Sequence, residues 1–234
     1  MTTRKMTNKF FYHLPRISCV LNVIITILFV ILIMLAHIFV QPSNIATQFG
    51  FPIEYSWQQL ELSELVLYGK TSKIIFNTAV ISYGTFLIIP MLSLAHMIKK
   101  SSLRIFYICV AIIDCLFLVG IGIFPEDQVY NIHYIFAVSF FILTINCFIL
   151  ISFILLNYQT ISKFYPIFGF FTAAFFLFYL ITRYFFGRGY TQRLAILFSI
   201  VFLLITNIRI AIGTEYKTLM EQKLHLKKEA KETF

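Results

Sequence analysis

Apolar residues gather in six runs, near 17–40, 74–98, 103–124, 131–157, 165–185 and 193–213, with polar breaks between them. Each run can cross about 30 Å of hydrocarbon, which takes about 20 helical residues. The pattern predicts an all-α, polytopic membrane protein: a six-transmembrane-helix bundle over 17–213, with a polar segment at 1–16 and a charged tail at 214–234. Spans two to six are joined by turns of a few residues, so consecutive spans should be antiparallel neighbours. Only the first connection, about 41–73, is long. Pro42 ends the first span. Trp57, Leu60, Glu61, Glu64, Leu65 and Tyr68 then recur at mixed helical spacing. That spacing predicts a short interfacial helix with its aromatics at headgroup level. A lid over a site is the sharper alternative.

Composition agrees with the spans. Hydrophobic residues make up 59% of the chain and charged residues 12%, against about 45–50% and about 25% in soluble domains. Of the 19 Lys and Arg, all but Lys70, Lys73, Arg183, Arg188 and Arg193 fall on the side of the termini. The positive-inside rule then predicts both termini cytoplasmic and the long connection facing outward. The net charge of +9 reads as membrane orientation and affinity for an anionic leaflet. It does not read as nucleic-acid binding, because the basic residues are dispersed and form no recognition module.

Residues 1–16 resemble the basic start of a signal peptide, but the apolar run that follows is too long for one, so it is expected to be a retained span. The four cysteines lie inside spans or at their edges, with no disulfide framework and no zinc spacing. No internal repeat is visible, which argues against an inverted-repeat transporter. Glutamates alternate with lysines from Glu215 onward, as in a solvated helical extension. Gly84, Gly120, Gly169 and Ala173 should allow close helix contacts. The fifth span is aromatic all round, from Phe168 to Phe178. It is expected to serve packing and lipid contact, or else to line an acyl groove.

The ionisable residues concentrate at one level. Depth counting brings His37, Asn77, Glu126, Asp127, His133, Arg183 and Arg193 to the end of the bundle that carries the long connection. Any one of them alone reads as an interface anchor or a snorkelling arginine. Together they point to a shared pocket. Glu126, Asp127 and His133 are the catalytic candidates, as general acid and base. Arg183 and Arg193 suit a phosphate or carboxylate, with Asn77 and His37 as further ligand-binding candidates. Asp127 and His133 do not have a metal-ligand spacing, and neither metal nor cofactor is expected. Asp114 and Asn146 reach similar depth near mid-span and are expected to hydrogen-bond each other, with a proton relay as the alternative. Asn22, Asn157 and Asn207 are expected to join helices.

Three stretches resemble the domain-of-unknown-function family numbered 998. They are Gly122-Ile-Phe-Pro-Glu-Asp followed by His133, Phe76-Asn77 followed by Gly84 with Ser63 to Gly69 before it, and Gly189-Tyr-Thr-Gln-Arg193-Leu-Ala. Two adjacent acids, Glu126 and Asp127, stand where the family pattern has one. The resemblance implies kinship with the six-span FRAG, DRAM and SFK proteins and a connection to membrane lipids. It also implies that Asn77, Asp127, His133 and Arg193 are site residues.

The expected function is an outward-facing pocket that binds or handles a membrane lipid or similar amphiphile. Arg183 and Arg193 would hold an anionic headgroup, Asp127 and His133 would form a hydrogen-bonded pair, and the fifth span would meet the acyl chain. One alternative is an intramembrane lipid hydrolase or transferase using His133 with Asp127 or Glu126. Another is an accessory subunit of a larger complex, with membrane-protein partners.

Overall fold

A computed structural model describes the backbone of residues 3–40, 46–48 and 51–53, then residues 60–95, 97–98, 100–158, 161–183 and 188–212 with Ser56, Gln58 and Phe185; side chains are described from Arg16 onward, apart from the two short strands. Six helices dominate: α1 (Thr3–Ile38), α2 (Lys70–Ala95), α3 (Ser101–Ile123), α4 (Tyr130–Leu156), α5 (Phe164–Thr182) and α6 (Arg188–Ile212). All six are long and apolar enough to cross a bilayer, and the chain is a multi-pass membrane protein. The 214–234 tail lies outside the described residues.

The long connection adds a two-stranded antiparallel hairpin, β1 (Ala46–Gln48) and β2 (Phe51–Ile53), and a 3-10 turn at Leu62–Leu67. The sixth helix begins at Arg188, five residues before the apolar run itself. That earlier start carries Arg188 and Gln192 on the first turns of a membrane helix.

Each helix packs against its neighbours in sequence, and α6 closes onto α1. The result is a ring. Small residues permit the closest seams. A Cβ at Gly122 would stand 2.9 Å from the Asn77 carbonyl oxygen, and one at Gly84 3.0 Å from that of Cys115, so α2 and α3 meet backbone to backbone. Six helices in a ring leave space along the axis, which side chains must fill or leave open.

At one end the ring is covered from inside. Leu60, Leu62, Leu65, Val66 and Tyr68 are buried, as are Glu61 and Glu64, and the Leu62–Leu67 turn packs on α2 and α6. The sequence suggests an interfacial helix here, with Trp57 as anchor. Trp57 lies outside the described residues, and the segment from Leu60 to Tyr68 folds inward as a plug. Its apolar side chains fill the ring mouth and both acids meet arginines there, which a flat position among headgroups would not provide.

The fifth span divides its aromatics. Phe178 is exposed on the bundle surface, whereas Phe168, Phe175 and the part-covered Phe171 pack against Phe198 of α6. Phe176 is buried inside the ring against Phe141 and Phe148 of α4.

Candidate functional site

The plug is fixed by a set of polar contacts to α5 and α6. Glu61 accepts from Arg183 at 3.0 Å and from the Tyr179 hydroxyl at 2.9 Å. Glu64, 1% exposed, is bridged by Arg188. The Gln192 side-chain oxygen accepts the Leu62 amide at 2.6 Å, and Arg193 Nη1 donates to the Leu60 carbonyl at 2.6 Å. On α2, the Ser72 hydroxyl lies within hydrogen-bond distance of the carbonyls of Leu65 and Ala36. Backbone and side chains alternate as partners, so the plug is held in one register.

Beneath the plug lies a cavity of about 120 Å³. Its mouth is polar, with Glu61, Ser63, Glu126, His133, Arg183 and Arg188 on its wall. Its shaft is apolar and aromatic, with Leu118, Ile121, Ala137, Phe140, Phe141 and Phe176. Its deep end holds Asp114, Thr144, Cys147, Leu87 and Met91. The aromatic lining comes chiefly from α4. The fifth span, expected to supply an acyl groove, contributes Phe176.

Glu126 and His133 face each other across the mouth. His133 Nδ1 lies 2.8 Å from the Phe124 carbonyl. A carbonyl only accepts, so Nδ1 carries the proton and Nε2 is left as an acceptor. Nε2 lies 3.9 Å from Glu126 Oε2 and has no hydrogen-bond partner among the described residues, on a residue only 4% exposed. Burial pushes the Glu126 carboxyl up to about 7, against the opposing pull of the Ser63 hydroxyl. Burial, reinforced by the negative charge of Glu126, likewise raises Glu64 to about 7, while Arg188 and the Glu61 amide oppose it. Near neutral pH the mouth can therefore exchange protons.

Several residues fall elsewhere than the sequence suggests. Asp127 does not pair with His133. It is exposed and bridges Lys73 on α2, because α3 ends at Ile123 and the following turn sends adjacent acids to opposite sides. Glu126 is the acid that faces inward. The exposed bridge should matter little: Asp127→Asn is expected to change stability by under about 1 kcal/mol, seen as a melting temperature within about 3 °C of wild type.

Arg183 is at the mouth, with its guanidinium 5.5 Å from the Tyr134 ring centre. Arg193 turns to the Leu60 carbonyl behind the plug and does not line the cavity. Asn77 sits on the α2–α3 seam, and His37 Nδ1 lies 2.9 Å from the Ile33 carbonyl on its own helix. Neither lines the cavity. Asp114 bonds to the Thr144 hydroxyl at 2.9 Å, not to Asn146. Residues 144 and 146 point about 200° apart on a helix, and Asn146 is exposed, donating to the Ile142 carbonyl.

Glu61, Glu64, Arg188 and Gln192 escaped the sequence-based set of site residues. The available signal was charge matching: two acids in an otherwise apolar loop segment and two arginines flanking a short break between spans.

The fold and this cavity define a class: a multi-pass helical-bundle membrane protein with a polar-mouthed internal space. Residues 23–209 match the family model described as protein of unknown function (DUF998), and the chain belongs to that family. No curated protein and no solved structure matches it.

Proposed function

We propose that this protein binds a membrane amphiphile inside the ring, with the polar end at the plug and the chain in the aromatic shaft. The observation that carries the reading is the graded wall of one cavity, ionic at the mouth and apolar along the shaft. Along α4 the lining residues run from Tyr130 to Phe148, a rise of about 27 Å. That depth matches one extended chain, and a cavity of about 120 Å³ must widen by side-chain movement to admit it.

The charge balance at the mouth shapes the ligand. Arg183 and Arg188 are each matched by a glutamate, and Glu126 adds a further acid, so an anionic headgroup gains little there. A neutral or zwitterionic head that exchanges hydrogen bonds with Glu126 and His133 fits better. The bias of basic residues toward the termini supports an outward-facing mouth with both termini cytoplasmic.

Native mass spectrometry of the detergent-purified protein tests the reading. Wild type is expected to retain a co-purified amphiphile, released by solvent extraction. Ala137→Trp, which places an indole in the half-buried shaft wall, should lose it while keeping a wild-type circular dichroism spectrum. Equal retention by that variant would overturn the proposal.

A second reading is favoured by one contact, the His133 Nε2 facing Glu126. In that arrangement His133 accepts a proton from water attacking an ester carbonyl, and protonated Glu126 donates to the leaving alkoxide. Turnover of ester lipids by the purified protein, lost in both His133→Gln and Glu126→Gln, would favour hydrolysis over binding. Absence of turnover in wild type would remove it.

A further inference from the structure

The deep end of the shaft is not apolar. Asp114 of α3 and Thr144 of α4 both line it, 2% and 7% exposed, with the Thr144 hydroxyl donating to one Asp114 oxygen at 2.9 Å. A carboxyl in mid-membrane is costly in a wall that meets only alkyl chain, because each lone pair left without a donor forfeits its solvation. Thr144 occupies one of the two carboxyl oxygens through this bond. Both residues line the cavity, whose other lining residues near that depth include Tyr83, Leu87 and Cys147.

From His133 at the mouth to Thr144 at the deep end, α4 rises about 16 Å. Two polar stations thus stand at a fixed separation, with an apolar shaft between them. We propose that the pocket selects a two-headed amphiphile: one polar group at the Glu126–His133 mouth and a second hydrogen-bonding group, such as a hydroxyl, at Asp114–Thr144. An alkyl spacer of about a dozen carbons bridges the two stations, given that rise of about 16 Å.

A simple hydrocarbon tail would desolvate the Asp114–Thr144 pair without replacing its lost water. A terminal hydroxyl replaces it, donating to the carboxyl and accepting from whichever proton the pair holds. The inference rests on the pocket reading above, but it makes a demand that reading does not make.

The test uses dodecanol and the α,ω-diol of the same chain as probes, each displacing a fluorescent amphiphile from full-length protein in detergent micelles. The ratio of their apparent affinities is measured in wild type and in Asp114→Leu, so that unequal partitioning into micelles cancels. Wild type is expected to favour the diol over the alcohol by about tenfold more than Asp114→Leu does, the size of one net hydrogen bond. Thr144→Val, a milder change, should lower the ratio in the same direction and serves as the comparison if Asp114→Leu does not fold. An affinity ratio equal in wild type and variant overturns the two-headed ligand while leaving the pocket intact. Failure of both probes to bind wild type overturns the pocket reading together with it.

Discussion

Gly189→Val is expected to lower the melting temperature of the purified protein by about 6–12 °C. Gly189 opens α6 beneath the plug, and a Cβ there would collide with the Leu60 carbonyl oxygen and carbon. Neither atom can yield cheaply. The carbonyl is backbone, and the same oxygen accepts from Arg193. Relief requires the plug to lift, which separates Glu61 from Arg183 and Glu64 from Arg188. Overpacking of this kind costs about 1–3 kcal/mol, and loss of a buried network takes the cost to the upper end. At about 2–4 °C per kcal/mol for a chain of this size, the shift follows. Gly120→Ala, on the α3–α4 seam, meets the Phe136 ring first and no backbone atom among its three nearest neighbours; a ring yields more easily than a carbonyl, so its shift should be smaller. Differential scanning fluorimetry of the two variants checks the order. A Gly189→Val protein that melts with wild type would mean that the plug does not occupy this position.

Stability should fall as pH rises from about 4.5 through about 7. Glu64 and Glu126 have carboxyls raised to about 7 in the folded protein, from an ordinary value of 4.5. Between those limits the folded state keeps protons that the unfolded chain has released, so stability decreases with pH. Below pH 4.5 both states are protonated and the penalty vanishes; above pH 7 it is complete.

Arg188→Met should make this dependence steeper. At pH 5 Glu64 is mostly neutral, and its partner is dispensable. At pH 8 Glu64 is charged and 1% exposed, and removing its cation strands it. Breaking a buried pair costs about 3–5 kcal/mol. The Arg188 side chain is 36% exposed, which brings the expected cost to about 2–3 kcal/mol and the shift to about 4–12 °C. Melting curves of wild type and Arg188→Met at pH 5 and pH 8 should nearly coincide at the lower pH and separate at the higher. Equal separation at both would show that Glu64 does not titrate in this range.

Much of the arrangement is legible in the chain. Span length and apolar continuity give the six membrane spans to within about five residues, because a bilayer fixes how many residues must be dry, whereas α1 itself extends back to Thr3. The short turns give the order of packing. The convergence of acids, histidine and arginine at one end also follows from counting depth. Counting does not reveal azimuth. Glu126 and Asp127 are adjacent in sequence, yet one faces His133 and the other faces Lys73 at the surface. Thr144, two residues from the expected Asn146, is the one that meets Asp114.

The loop shows the same limit more strongly. Glu61 and Glu64 have partners more than a hundred residues away, on α5 and α6. Local spacing cannot encode such a pairing, and the helical pattern of the segment suits the headgroup layer equally well.

Hydrophobic length and the cost of charge in lipid act residue by residue, so a six-span membrane bundle with a cluster of acids, histidine and arginine at one end is legible from the chain alone. Closure of the helices into a ring around a cavity, and the plugging of that ring by the long connection, emerge only once the helices pack. The same holds for Glu126 looking inward while Asp127 looks out. Those outcomes depend on helix rotation and on contacts between distant segments, where a change of one residue turns a side chain by about 100°.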